Sequence, residues 1–185
     1  MGQDKSQLIV DGSTLAVRTA SLIQLVVETA IEVGTGVSGL PTTREQPMGE
    51  GPLVAIAEGC RALRERGHTG SALVIACDLP LLSERLLRFL VDYESPGSVV
   101  PVVRGRAQPL CAKWGREDLD EASQLVSQGV RSLQHLTTQP NVALIDESAW
   151  QVVATEEQFS DVDSPADLHR LGLATEVSKV TNPDN

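Results

Sequence analysis

Aromatic side chains are scarce: Phe, Tyr and Trp together make up 3% of the 185 residues, so Leu, Val, Ile and Ala must build the core. That is the composition expected where buried strands meet amphipathic helices. Cysteine is scarce as well, at three residues. Cys60, Cys77 and Cys111 are odd in number, widely spaced and set in apolar surroundings. This pattern argues against a disulfide framework, lacks the close pairing of a zinc site, and predicts buried thiols in a reducing compartment. No apolar run approaches membrane-spanning length, and the opening MGQDKSQLIV has neither the apolar stretch nor the flanks of a signal peptide. A cytoplasmic chain with no membrane partner is the expectation. Positive charge is in deficit: 15 Lys and Arg face 25 Asp and Glu, for a formal net charge of -10. Binding of DNA or RNA rests on clustered cations that neutralise phosphates, so no nucleic-acid partner is expected. A small anion can still be held where backbone N–H groups, a lysine or a carboxylate-bound divalent cation supply positive charge locally.

Hydrophobic residues at 41% and charged residues at 22% are an ordinary globular mixture, enough for one sizeable domain. Along the chain, short apolar runs alternate with helical periodicity. Gln7 to Val10 reads as a strand closed by the turn pair Asp11-Gly12, with Ser13 or Thr14 capping a helix that runs to Glu28. Ile31 to Val33 is the next strand, followed by a long loop rich in Gly and Pro. After Gly51-Pro52, the stripe Leu53, Ile56, Ala57, Cys60 and Leu63 marks a helix that Gly67 stops. Ala72 to Cys77 is a continuous apolar run of the kind buried on both faces, and it ends at Asp78. Ser83 caps a helix ending near Tyr93; Val99 to Val103 is strand-like, with Pro101 favouring an edge or irregular position. Leu110 to Trp114 is a strand, Asp118 to Ser127 a helix, Val130 to Leu136 a shorter one, and Val142 to Ile145 a strand. Pro165 opens a last helix. The alternation predicts an α/β fold with a mainly parallel sheet, one domain over residues 1–174, and a frayed tail over 175–185. Ligands of such sheets bind beyond the carboxyl ends of the strands.

Four motifs fall at that edge. Met1 to Lys5, M-G-x-D-K, combines a glycine that lets backbone approach a ligand with a compact cation suited to phosphate. Gly49 to Gly59 opens a helix whose free N–H groups can face a base or an anion. Ala72 to Pro80 sets the Asp78 carboxylate at a strand tip, where a divalent cation bridging phosphates can be held. Phe159 to Leu168 carries Asp161 and Asp163 on one side of an extended segment. Singly, each has a plainer reading, as an idle terminus, a helix start, a turn cap or a cap ahead of Pro165.

Taken in order, these motifs resemble the molybdenum cofactor guanylyltransferases and their close relatives, over nearly the whole chain. SQLIVDGSTLAVRTA after the lysine and QPLCAKW after the Pro101 strand extend the match. The resemblance implies a three-layer Rossmann-like nucleotidyltransferase that joins GMP from GTP to the phosphate of a phosphorylated pterin, the molybdopterin cofactor, releasing pyrophosphate with Mg2+. It implies that Gly2 and Lys5 contact the nucleotide phosphates and that Asp78 ligates magnesium. Gly34 and Glu45 fall where the family contacts base and ribose, and Gly51, Pro52 and Leu53 shape the nucleotide pocket. Asp161 and Asp163 stand where the family pattern often has the asparagines of N-x-N-T-P, which implies acceptor binding and, for Asp163, a share in a second metal site.

The family also opens with a strand and the loop L-A-G-G-x-S-x-R directly before M-G-x-D-K. The expectation is therefore a reading frame that continues upstream of Met1, and a chain that without that first strand is poorly active and less stable. Two further readings stay open: a CTP-using cytidylyltransferase acting on molybdopterin or another small phosphorylated acceptor, and a nucleotide-binding module with impaired catalysis. His68, His135 and His169 look uninvolved, Trp114 and Trp150 look like packing residues, and oligomeric state is not readable from the sequence.

Overall fold

The computed structural model describes residues 5–173. A 3-10 turn at Lys5–Gln7 enters a hairpin of β1 (Ile9–Val10) and β2 (Ser13–Thr14). Asp11 and Gly12 turn it with φ of 50° and 77°, the left-handed pair that a tight two-residue hairpin demands. Thr14 then accepts the Val17 N–H and caps α1 (Leu15–Gln24), which ends short of the expected Glu28. β3 (Glu32–Val33) pairs in parallel with β4 (Thr42–Thr43), and α2 (Pro52–Glu65) starts on a proline whose missing N–H costs nothing at that position. β5 (Ala72–Ile75) precedes α3 (Glu84–Asp92), capped by Ser83 as its spacing predicts. Then come β6 (Ser98–Val103), β7 (Arg106–Ala107), β8 (Cys111–Trp114), α4 (Arg116–Ser127), the short α5 (Gln134–Thr137), β9 (Val142–Ile145) and the single turn α6 (Glu147–Trp150). A second 3-10 turn at Glu156–Phe159 leads to α7 (Pro165–Arg170), capped by Ser164. The tail expected at 175–185 lies outside the described residues.

The main sheet has five strands. β8 pairs antiparallel with β5 on one side and with β6 on the other, while β9 pairs in parallel with β6. β5, β6 and β9 therefore point the same way and β8 runs against them. This corrects the expectation of a mainly parallel sheet: among the described pairings the sheet is mixed, because the β6–β7 hairpin and β8 return the chain antiparallel through the middle. A second correction concerns Pro101, which lies not on an edge strand but in β6, between β8 and β9. The described β6–β8 register sets Val99 opposite Lys113, and the Pro101 carbonyl accepts the Gln108 N–H at 2.8 Å. That bond extends the β6–β7 pairing, and proline, which has no N–H, leaves only its reciprocal unmade at the end of that short ladder.

Side chains alternate across this sheet into two cores. Val99, Val103 and Cys111 join Leu86, Leu87, Leu90, Trp150 and Phe159 on one face. Val100, Ala112 and Trp114 join Leu53, Ile56, Cys60, Leu119 and Leu136 on the other. The result is three layers, with α3 and α6 on one side and α2, α4 and α5 on the other. β5 follows the alternation, yet its four residues are each only half-buried, against the expectation of a strand covered on both faces.

Candidate active site

A third apolar cluster brings the two ends of the described chain together. Leu8, Val10 and Leu15, from the first hairpin and α1, pack on Val162 and Leu168, from the loop before α7 and α7 itself. The Val162 N–H also donates to the Asp78 carbonyl at 3.0 Å, which fastens the 161–163 segment to the turn after β5. Three sequence-predicted site residues converge as a consequence. Lys5 Nζ lies 3.8 Å from the Asp78 carboxylate and forms a closer ion pair with Asp163. Of these side chains Asp78 is the most enclosed, at 23% exposure against 44% for Lys5 and 67% for Asp163.

That enclosure sets the electrostatics. Burial pushes the Asp78 carboxyl above the usual aspartate range; Lys5 opposes the shift, while the neighbouring charges of Asp161 and Asp163 add to it. Lys5 is held above the ordinary lysine value, chiefly by its bond to Asp163 and against some burial, with the charges of Asp163, Asp78 and Asp161 acting in the same direction. Lys5 thus stays cationic among three acidic groups. Asp163 is itself fixed from below, since its N–H donates to Asp167 Oδ2 at 3.1 Å and Ser164 Oγ donates to the same oxygen. Gly2 lies outside the described residues.

The other candidates form a second group on the β3–β4 side. The Gly34 N–H donates to the Thr43 carbonyl at 3.0 Å, and Arg44 returns bonds to the carbonyls of Gly34 and Thr35. Glu45 accepts the Glu50 N–H at 3.2 Å, and Arg131 holds the Glu50 carboxylate at 2.8 Å. Gly51 adopts φ of 100°, a conformation reserved in practice for glycine, and its carbonyl takes the Val54 and Ala55 N–H groups to begin α2. Leu53 has 0% exposure and belongs to the core beneath α2, so any part it has in a pocket is played from behind the surface.

Three polar residues of this second group escaped the sequence reading. Glu32 opens the two-residue β3 and puts a carboxylate shortly ahead of a glycine-rich loop, so its position was a usable signal. Arg44 and Arg131 offered none, because the backbone and carboxylate they hold arrive from other segments. A groove of about 970 Å³ runs along α2 and is lined by residues including Thr43, Glu45, Glu58, Arg61, Arg64 and Ser123. It takes in Glu45 but none of Lys5, Asp78 or Asp163, so the converging charges, not this groove, mark the candidate site.

Among the described residues no group of three or more His, Cys, Asp or Glu side chains is disposed to hold a metal ion. Magnesium does not require one, since it is commonly held by one or two carboxylates together with substrate phosphates. The hard oxygen donors of Asp78 and Asp163, already gathered about one cation, fit that role.

A layered α/β domain that gathers carboxylates and a lysine beyond the tip of a sheet strand is built like the nucleotide-handling members of its class. Comparison with known proteins makes this specific. The family description "MobA-like NTP transferase domain" matches residues 1–142, and the chain belongs to that family. A protein of Mycobacterium avium, named as a probable molybdenum cofactor guanylyltransferase, is 36% identical over 135 residues, covering 71% of this chain and 64% of that protein. A Bacillus cereus protein of the same name is 27% identical over 175 residues, covering 88% and 84% of the two chains. Among solved structures, molybdopterin-guanine dinucleotide biosynthesis protein A from Archaeoglobus fulgidus superposes with a TM-score of 0.68 at 19% identity, covering 91% of this chain and 89% of that one. A nucleotidyl transferase from Methanothermobacter gives 0.61 at 16% identity, covering 90% and 82%. These likenesses establish the α/β nucleotidyltransferase fold. In the described residues no helix is long and apolar enough to cross a membrane.

Proposed function

We propose that this protein transfers GMP from GTP to the terminal phosphate of molybdopterin, releasing pyrophosphate. The observation that carries the reading is the meeting of Lys5, Asp78 and Asp163 beyond β5, supported by the family and by the names of its relatives. An oxygen of the acceptor phosphate attacks the α-phosphorus of GTP, the bond from that phosphorus to the bridging oxygen breaks, and pyrophosphate leaves with the electron pair. Side chains have little covalent work in such a displacement; alignment and charge neutralisation supply most of the acceleration. Lys5 faces the nucleotide phosphates, which the family motif assigns to Gly2 as well, and Lys5 balances charge as it develops on the leaving group. Asp78, assisted by Asp163, would hold Mg2+, whose chemistry when bound is to neutralise and orient the phosphates. Asp161 and Asp163 stand at the acceptor side; Gly34, Glu45, Gly51, Pro52 and Leu53 form the nucleoside side. Residues 1–174 act as one domain, in the cytoplasm. The choice of guanine over cytosine rests on the relatives' names alone.

The test is pyrophosphate release by the natural full-length protein with molybdopterin and GTP, CTP or ATP in turn, at varied Mg2+. Release with GTP alone is the expected result, CTP preference would move the protein to the cytidylyltransferase reading, and no release with any nucleotide would defeat the enzyme reading. Asp78→Ala should abolish the magnesium-dependent rate, and undiminished turnover would disprove the metal role.

A further inference from the structure

The loop that follows β3 is held by two side chains of opposite charge, neither of them among the residues given a role above. Glu32 turns its carboxylate under the loop. Oε1 accepts the Gly36 and Val37 N–H groups at 2.6 and 3.2 Å, and Oε2 accepts the Ser38 N–H and hydroxyl at 2.8 and 2.6 Å. From the other side, Arg44 donates through Nε to the Gly34 carbonyl at 3.1 Å and through its terminal nitrogen to the Thr35 carbonyl at 2.9 Å. The Gly34 N–H is taken by Thr43, so the backbone bonding of the loop is settled almost residue by residue. Gly36 takes φ of 83°, which lets successive N–H groups converge on one carboxylate. The assembly is anchored in turn to α2, because Thr43 donates its hydroxyl to Glu58, which Arg61 also holds.

This bonding limits what the loop can receive. Converging N–H groups are an anion site, but here an internal anion already fills it, so the loop has no amides at 36–38 left for a phosphate. The phosphate half of a nucleotide is matched instead by the lysine and aspartates beyond β5. We propose that Glu32 and Arg44 are positioning residues that hold the 34–38 loop in the one shape that receives the uncharged nucleoside half, and so govern affinity for, and choice of, the base. The inference rests on the nucleotidyltransferase reading above.

Glu32→Gln and Arg44→Gln test it in the natural full-length protein. Glu32→Gln substitutes an N–H₂ group for one acceptor oxygen, which sets it against the Gly36 and Val37 N–H groups in one amide orientation and against the Ser38 N–H in the other. In each variant the KM for GTP should rise about tenfold while kcat stays within about twofold, the pattern of lost ground-state binding. The preference for GTP over CTP in kcat/KM should shrink, and the KM for molybdopterin should not move. Amide hydrogen exchange provides a readout independent of turnover: Gly36, Val37 and Ser38 should be protected in the parent and should lose protection in Glu32→Gln. Unaltered protection would overturn the clamp itself. Protection lost with GTP KM and base preference unchanged, or a lower thermal midpoint with both unchanged, would reduce the pair to fold maintenance and overturn the positioning role. A parent that neither binds nor turns over any nucleoside triphosphate would instead bring down the functional reading, and this inference with it.

Discussion

At the scale of single residues the decisive group is Asp78, a carboxylate kept partly out of water although it is more stable in it. Its raised pKa has a definite thermodynamic sign. A folded-state value above the unfolded one means that the fold favours the proton; that contribution is fully present below the unfolded value of about 3.9 and is lost as pH rises through the folded value. Asp78→Asn removes the titration while keeping the shape. The variant should match the parent in thermal midpoint at acid pH and exceed it at neutral pH, while its turnover falls by roughly a hundredfold or more, as when a single charge-stabilising group is lost. Midpoints followed by circular dichroism across pH 3 to 7, beside pyrophosphate release, check both halves, and a variant that is less stable at neutral pH would make Asp78 a structural residue. Asp78 was legible in the sequence because an apolar run ending in D-x-P is a local pattern. Glu32 was legible only as a carboxylate ahead of a glycine-rich loop and Arg44 not at all, because their partners are backbone groups that converge only after β3 and β4 have paired.

Among the elements, helix starts mostly obeyed local rules: Thr14 and Ser83 each accept an N–H at the positions their spacing indicated, whereas α7 is capped by Ser164 and not by the aspartates before it. Strand placement did not, as Pro101 demonstrates, since whether a missing donor matters depends on which neighbour lies alongside. The β6–β9 pair has its own close-packed requirement. A Cβ at Gly97 would come within 2.1 Å of the Asn141 carbonyl oxygen, a backbone atom that cannot swing aside, and Asn141 also accepts the Ser98 N–H that begins the pairing. Gly97→Ala should therefore cost on the order of 2 kcal/mol or more, measured by urea denaturation. A cost near zero would mean that β9 shifts readily on β6. Gly105 is the useful control, with nothing within 4 Å of its would-be Cβ, although its φ of 74° adds some strain of its own.

For the whole molecule, the question is whether the layers form one cooperative unit. Trp150 lies in the core on the α3 side of the sheet and Trp114 in the core on the α2 and α4 side, with 1% and 0% exposure. Each indole N–H has a carbonyl partner, Val102 for Trp150 and Pro109 for Trp114. In Trp114→Phe the remaining fluorescence reports one side, and in Trp150→Phe the other. Within each variant the fluorescence and circular-dichroism unfolding curves should coincide, as in a single two-state domain, whereas separated midpoints would divide the chain into two units. The sequence alone determined the alternation of elements, most of their caps, the aliphatic make-up of the core and the types of the charged residues at the strand tips, because periodicity and capping act over a few neighbouring positions. Only the tertiary structure decided the mixed strand order, the enclosure of Glu32 by its own loop, and the meeting of Lys5 with Asp78 and Asp163. Those outcomes depend on which distant apolar surfaces bury one another, above all the first hairpin against α7, and no local pattern records that choice.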